Sequence, residues 1–170
     1  MNTKRIVNTF VMSLIISACS SLTWANGTGH SHHDNTSAGD ASEDSNFGKP
    51  GVASEVTRTI EVSMGNDMRF TPDTMQIKQG ETIRFILKNN GSTPHEMVLG
   101  TADEIREHAE LMKKMPNMQH TDPSMARVDP GKSGEIIWKF DLDGSFQFAC
   151  LIPGHLEAGM SGAITVTPSN

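Results

Sequence analysis

The stretch Phe148-Ala149-Cys150-Leu151-Ile152-Pro153-Gly154-His155-Leu156-Glu157-Ala158-Gly159-Met160 places a cysteine, a histidine and a methionine in the spacing Cys-x4-His-x4-Met. Pro153-Gly154 marks a turn, and the apolar runs on either side read as strands, so these three side chains sit on one loop anchored at both ends. Far upstream, Asn89-Asn90-Gly91-Ser92-Thr93-Pro94-His95 sets a second histidine at the mouth of another strand. A thiolate and two imidazoles with a weak axial thioether form the ligand set of a type 1 copper site. Cu(I) prefers soft sulfur and low coordination, whereas Cu(II) prefers nitrogen and tetragonal geometry. A rigid compromise limits rearrangement between them, and a short anchored loop supplies that rigidity. Singly, each residue has an ordinary use: Cys150 as a small buried hydrophobe, His155 in a turn, Met160 as core filler. Their joint spacing is what points to metal.

Outward from this loop the chain reads as short strands. Val56, Arg58, Ile60 and Val62 alternate with Thr57, Thr59 and Glu61, the pattern of a half-buried strand. Met75 to Lys78, Thr82 to Leu87, His95 to Leu99, Ser133 to Phe140, Ser145 to Cys150 and Ala163 to Thr167 follow, with turn signals at Gln79-Gly80-Glu81 and Asp143-Gly144. From Ala102 to about Met115 the period becomes helical: Ile105, Ala109 and Met112 share a face, acids come early, Lys113-Lys114 late, and Pro116 ends it. The chain is therefore expected to be all-β, a β-sandwich with a short helical insert. Ile60, Val62, Ile77, Ile83, Phe85, Ile137, Phe146 and Val166 are its expected core, enough to fold without metal. No internal repeat is visible.

The N-terminus reads as an export signal. Lys4 and Arg5 precede an apolar stretch from Ile6 to about Leu22, and Thr23-Trp24-Ala25 offers a small-residue cleavage site, making residues 1–25 a signal peptide. A competing pattern, Ile16-Ser17-Ala18-Cys19, resembles a lipobox that would leave a lipid anchor at Cys19. The stretch is too short and polar for a membrane span. Residues 26–54 are rich in Gly, Ser, Asp, Asn and His, and are expected to form a disordered His-containing tail. The folded domain is assigned to residues 55–168.

Over the whole chain of 170 residues, 20 acidic side chains outweigh 14 basic ones, and signal removal takes away two of the basic ones. That balance, with no tyrosine and 5% aromatics, argues against nucleic-acid binding. Two cysteines make no disulfide scaffold, and Cys150 is the only one left after cleavage at Ala25. Eleven methionines and seven histidines are the unusual entries in the composition, and together they suit copper.

The segment Asn-Asn-Gly-x-x-Pro-His-Glu-Met-Val-Leu-Gly with the Cys…His…Met loop resembles the cupredoxin family. More narrowly it is similar to exported CopI-like cupredoxins associated with copper tolerance in Gram-negative bacteria. The resemblance covers about residues 55–168. It implies a Greek-key β-sandwich, one type 1 copper bound by His95, Cys150, His155 and Met160, and a periplasmic protein that handles copper ions. It also leaves room for a redox partner. Two departures stand out. Many small electron carriers of the family have Asn after the upstream histidine, where this chain has Glu96, and the Cys-to-His spacing is longer than in plastocyanin-like members.

Softer signals lie elsewhere. His30, His32 and His33 beside Asp34 could catch Cu(II) or Zn(II) from the tail. Met112, Met115 and Met118 with His120 and His108 could gather Cu(I), though packing of the insert is the stronger expectation for Met112 and Met115. The chain is too short for a multicopper oxidase or copper nitrite reductase, and no Ser-His-Asp or paired-carboxylate arrangement is legible, so an enzyme is not expected. A copper-tolerance protein and a soluble electron carrier remain.

Overall fold

A computed structural model describes residues 45–115 and 121–169. The expected signal peptide with Cys19, the tail histidines His30, His32 and His33, and Met118 and His120 lie outside these residues.

Among the described residues, ten strands and one α-helix follow in order: β1 (Lys49–Pro50), β2 (Arg58–Met64), β3 (Phe70–Thr71), β4 (Thr74–Lys78), β5 (Thr82–Asn89), β6 (His95–Gly100), α1 (Ala102–Lys114), β7 (Met125–Val128), β8 (Ser133–Lys139), β9 (Gly144–Ala149) and β10 (Ser161–Thr167). They form two sheets, in the orders β1-β8-β5-β2-β3 and β4-β10-β9-β6-β7. Within them β2 runs parallel to β5, and β4 parallel to β10, while the remaining neighbours are antiparallel. The expected all-β sandwich with a helical insert is the observed architecture. β1, β3 and β7 were not legible in the sequence, because stretches of two to four residues are too short to display a period.

β5 shows why strands form here. Ile83, Phe85 and Leu87 point inward and are fully buried, while Arg84, Ile86 and Lys88 on the other face are only partly covered. Burying each such apolar side chain stabilises the fold by about 1.5–3 kcal/mol. β8 corrects one expectation: Ile136 and Trp138 are the core residues, and Ile137 is only half-buried. The run Ile136-Ile137-Trp138 is apolar in both phases, so alternation alone could not choose the face. Ile60 is also half-buried, packed against the core edge.

The packed region begins earlier than residue 55. Phe47 is buried and stacks on Trp138, with ring centroids 4.7 Å apart and planes at 14°. The Trp138 indole N–H donates to the Phe47 carbonyl at 3.3 Å. Lys49 and Pro50 pair with Lys139 and Trp138. Residues 45–54, assigned from composition to the tail, are therefore part of the sandwich.

Helix α1 starts at a reciprocal cap. The Thr101 hydroxyl accepts from the Glu104 N–H, and the Glu104 carboxylate accepts from the Thr101 N–H. Its apolar face, Ile105, Ala109 and Met112, packs on Val98, Ala149 and Leu151. Leu156, from the loop after β9, joins this second small core, so the insert lies directly against the Cys-His-Met loop.

Candidate metal centre

Asn89 ends β5 and is buried. Its side-chain amide donates to the Thr93 carbonyl at 2.8 Å and the Val128 carbonyl at 2.9 Å, and its oxygen accepts from the Gly91 N–H at 2.9 Å. The loop Asn90–Pro94 thus folds around one side chain and delivers His95 to the start of β6. β6 pairs antiparallel with β9, with Val98 opposite Ala149. That register brings His95 and Cys150 to the same end of the second sheet.

The loop from Cys150 to Met160 closes on itself. The His155 N–H donates to the Ile152 carbonyl, the Met160 N–H to the His155 carbonyl, and the Cys150 N–H to the Met160 carbonyl, each at 3.0 Å. The result is convergence of three of the four expected donors, His95, Cys150 and His155. His95 Nδ1 and His155 Nδ1 face each other at 3.3 Å, and Cys150 Sγ is 3.3 Å from His155 Nδ1. One donor atom from each of these residues lies within 4.8 Å of the others. His95 and Cys150 are fully buried, whereas His155 is half-buried and forms the solvent side of the group. Met160 is also fully buried, where its backbone joins the two ends of the loop.

The donor set fits a soft cation. Two facing imidazole nitrogens at 3.3 Å can share only one proton. A cation at their common focus would satisfy both, together with the thiolate. Electrostatics agree. Burial lowers the pKa of both histidines, which are further lowered by the facing His155 charge at His95 and by Arg127 at His155. Both rings are therefore held toward the neutral, metal-binding form. The Gly65 backbone and Asp67 pull His95 weakly the other way. The Cys150 thiol is pushed up to about 11, chiefly by burial, against backbone hydrogen bonds from Glu96 and Ile152 that favour the thiolate.

Glu96 is itself buried, and its carboxylate accepts from the Leu151 N–H at 3.1 Å. It thereby braces the residue next to Cys150. Among the expected softer sites, Met112 is enclosed in the small core, and Met115 is exposed at the end of α1 rather than packed. Sequence reasoning missed Asn66, Arg69 and Arg127, each of which borders the donor group through pairing or loop contacts. No periodic or spacing signal marks them, because their partners are remote in the chain.

Comparisons with known proteins point the same way. The family described as copper binding proteins, plastocyanin/azurin family, matches residues 56–167. The copper-resistant cuproprotein CopI of Rubrivivax gelatinosus is 47% identical over 156 residues, covering 90% of this chain and 93% of its own. CopI of Pseudomonas aeruginosa is 39% identical, covering 72% of this chain and 83% of its own. Among solved structures, auracyanin B superposes with a TM-score of 0.58 at 24% identity, over 72% of this chain and 97% of its own. The chain belongs to the plastocyanin/azurin family of copper-binding proteins, with CopI cuproproteins among its relatives.

Proposed function

We propose that this chain is exported to the periplasm, binds one copper through His95, Cys150, His155 and Met160, and serves copper tolerance as a redox-active binder rather than an enzyme. The observation that carries it is the convergence of two imidazoles and a thiol within 4.8 Å. Family membership and the CopI relatives support the copper assignment, and the N-terminal apolar stretch supports export. Among the described residues no helix is long and apolar enough to cross a membrane.

Copper held there would pass between its two oxidation states, taking up or giving one electron. The protein's own part is positional. Cys150 gives up its proton as the metal enters, helped by the backbone hydrogen bonds of Glu96 and Ile152. His95 is buried and held toward its neutral form, and Glu96 holds Leu151 so that the loop resists rearrangement. The second reading, a soluble electron carrier, is favoured by the half-buried His155, which offers a short route from the site to the surface.

Copper stoichiometry and an optical spectrum of the mature protein test the assignment. One copper per chain and an intense visible thiolate-to-copper band are expected, and Cys150→Ser should abolish the band while far-ultraviolet dichroism keeps its β signature. A band that survives this substitution overturns the ligand set. Loss of the gene should also reduce growth on copper. Unchanged tolerance would leave the electron carrier standing.

A further inference from the structure

The short loop between β2 and β3, residues 65–69, touches both segments that carry metal donors. On one side the Asn66 side-chain oxygen accepts from the Ser92 N–H at 2.8 Å and from the Ser92 hydroxyl at 3.0 Å, three residues before His95. The Gly65 backbone also acts on the His95 ring, favouring its charged form. On the other side Arg69 Nη1 donates to the carbonyls of Met68 and Ala158, both at 2.7 Å.

The guanidinium lies flat against Gly159. A Cβ at that position would come 3.1 Å from Arg69 Nη1 and 3.2 Å from its Cζ and Nη2. Gly159 also has φ +95°, which other residues avoid. Glycine is thus required twice, once for the backbone and once to admit the arginine. Met68, at φ +55°, takes a left-handed turn immediately before Arg69, a conformation costly for a residue with a side chain. Ala158 and Gly159 lead straight into Met160, whose carbonyl receives the Cys150 N–H.

We propose that Arg69 and Asn66 are positioning residues: loop 65–69 is a strut from the first sheet that holds the Ala158–Met160 corner at a fixed separation from the His95 loop. This rests on the copper assignment for its consequence, though not for its geometry. The strut keeps the thioether of Met160 and the ring of His95 in register with Cys150 without contributing a donor.

The test uses the full chain with Arg69→Gln, Arg69→Lys and Asn66→Ala, with and without copper. In the copper-free protein, Arg69→Gln should speed amide exchange at Gly159 and Met160 about three- to tenfold, the scale of one charge-assisted hydrogen bond discounted for exposure. In the copper protein it should speed copper loss to a chelator by a similar factor and alter the intensity ratio of the two thiolate-to-copper bands. Arg69→Lys, which can still reach one carbonyl, should restore part of each, and Asn66→Ala should move the same readouts. Wild-type exchange, copper-loss rate and band ratio in Arg69→Gln would overturn the proposal. So would a lowered melting temperature with those readouts unmoved. Should the wild-type chain take up no copper, the functional assignment falls while the amide-exchange arm still decides the strut.

Discussion

Cys150 keeps its proton in the metal-free protein at neutral pH, because burial lifts the thiol to about 11. Copper binds the thiolate, so binding must expel that proton. Calorimetry in buffers of different ionisation enthalpy should show about one proton released per copper near pH 7.5, with affinity rising about tenfold per pH unit. Release of no proton would mean Cys150 is not a ligand. The histidines act in the opposite pH range. Their folded pKa values lie below the ordinary 6.5, so their contribution to stability is present above pH 6.5 and is lost as pH falls through the lowered values. The copper-free protein should therefore melt at progressively lower temperature on acidification below pH 6.5, and a His95→Gln variant should flatten that decline. Cys150 and His155 were legible because their spacing is local. The role of Glu96 was not, since its partner Leu151 is 55 positions away.

Helix α1 separates two methionines that sequence spacing treats alike. Met112 is closed into the small core with Ile105 and Ala109, while Met115 is 43% exposed. Three residues along a helix turn a side chain by about 60° away from its starting direction, enough to carry Met115 off the arc that Ile105, Ala109 and Met112 occupy. Met112→Ala should cost about 2–5 kcal/mol in urea unfolding, and Met115→Ala less than about 0.5 kcal/mol. Thr101→Ala should cost about 1 kcal/mol by removing the cap. Comparable losses for both methionines would place Met115 in a packed environment instead. The ends of α1 were readable from the early acids, from Lys113-Lys114 and from Pro116, whereas the Thr101–Glu104 cap came from the structure. Its docking against Leu156 depends on where β9 and the ligand loop lie.

At the scale of the whole molecule, the core spans both sheets and is closed at one edge by the N-terminal strap. Phe47 covers Trp138 and reaches Phe146, with ring centroids 6.3 Å apart. Phe47→Ala should destabilise the protein by about 3–5 kcal/mol, and a chain beginning at residue 55 should melt below one beginning at residue 45. Equal melting temperatures would show the strap to be dispensable. The polar, glycine-rich composition around Phe47 hid this strap, because one aromatic in a solvated stretch carries no period. Its burial depends on Trp138, 91 residues later.

The sequence by itself determined the donor chemistry, the helix and most of the strands. These depend on residue type and on spacings within one turn, one strand or one loop, where chain geometry leaves few alternatives. The tertiary structure alone decided that His95 meets His155 across 60 positions, that Ile136 faces inward, and that Arg69 and Asn66 border the site. Those facts rest on strand register and sheet order, which arise when distant segments compete to bury apolar surface, and no local pattern encodes the winner.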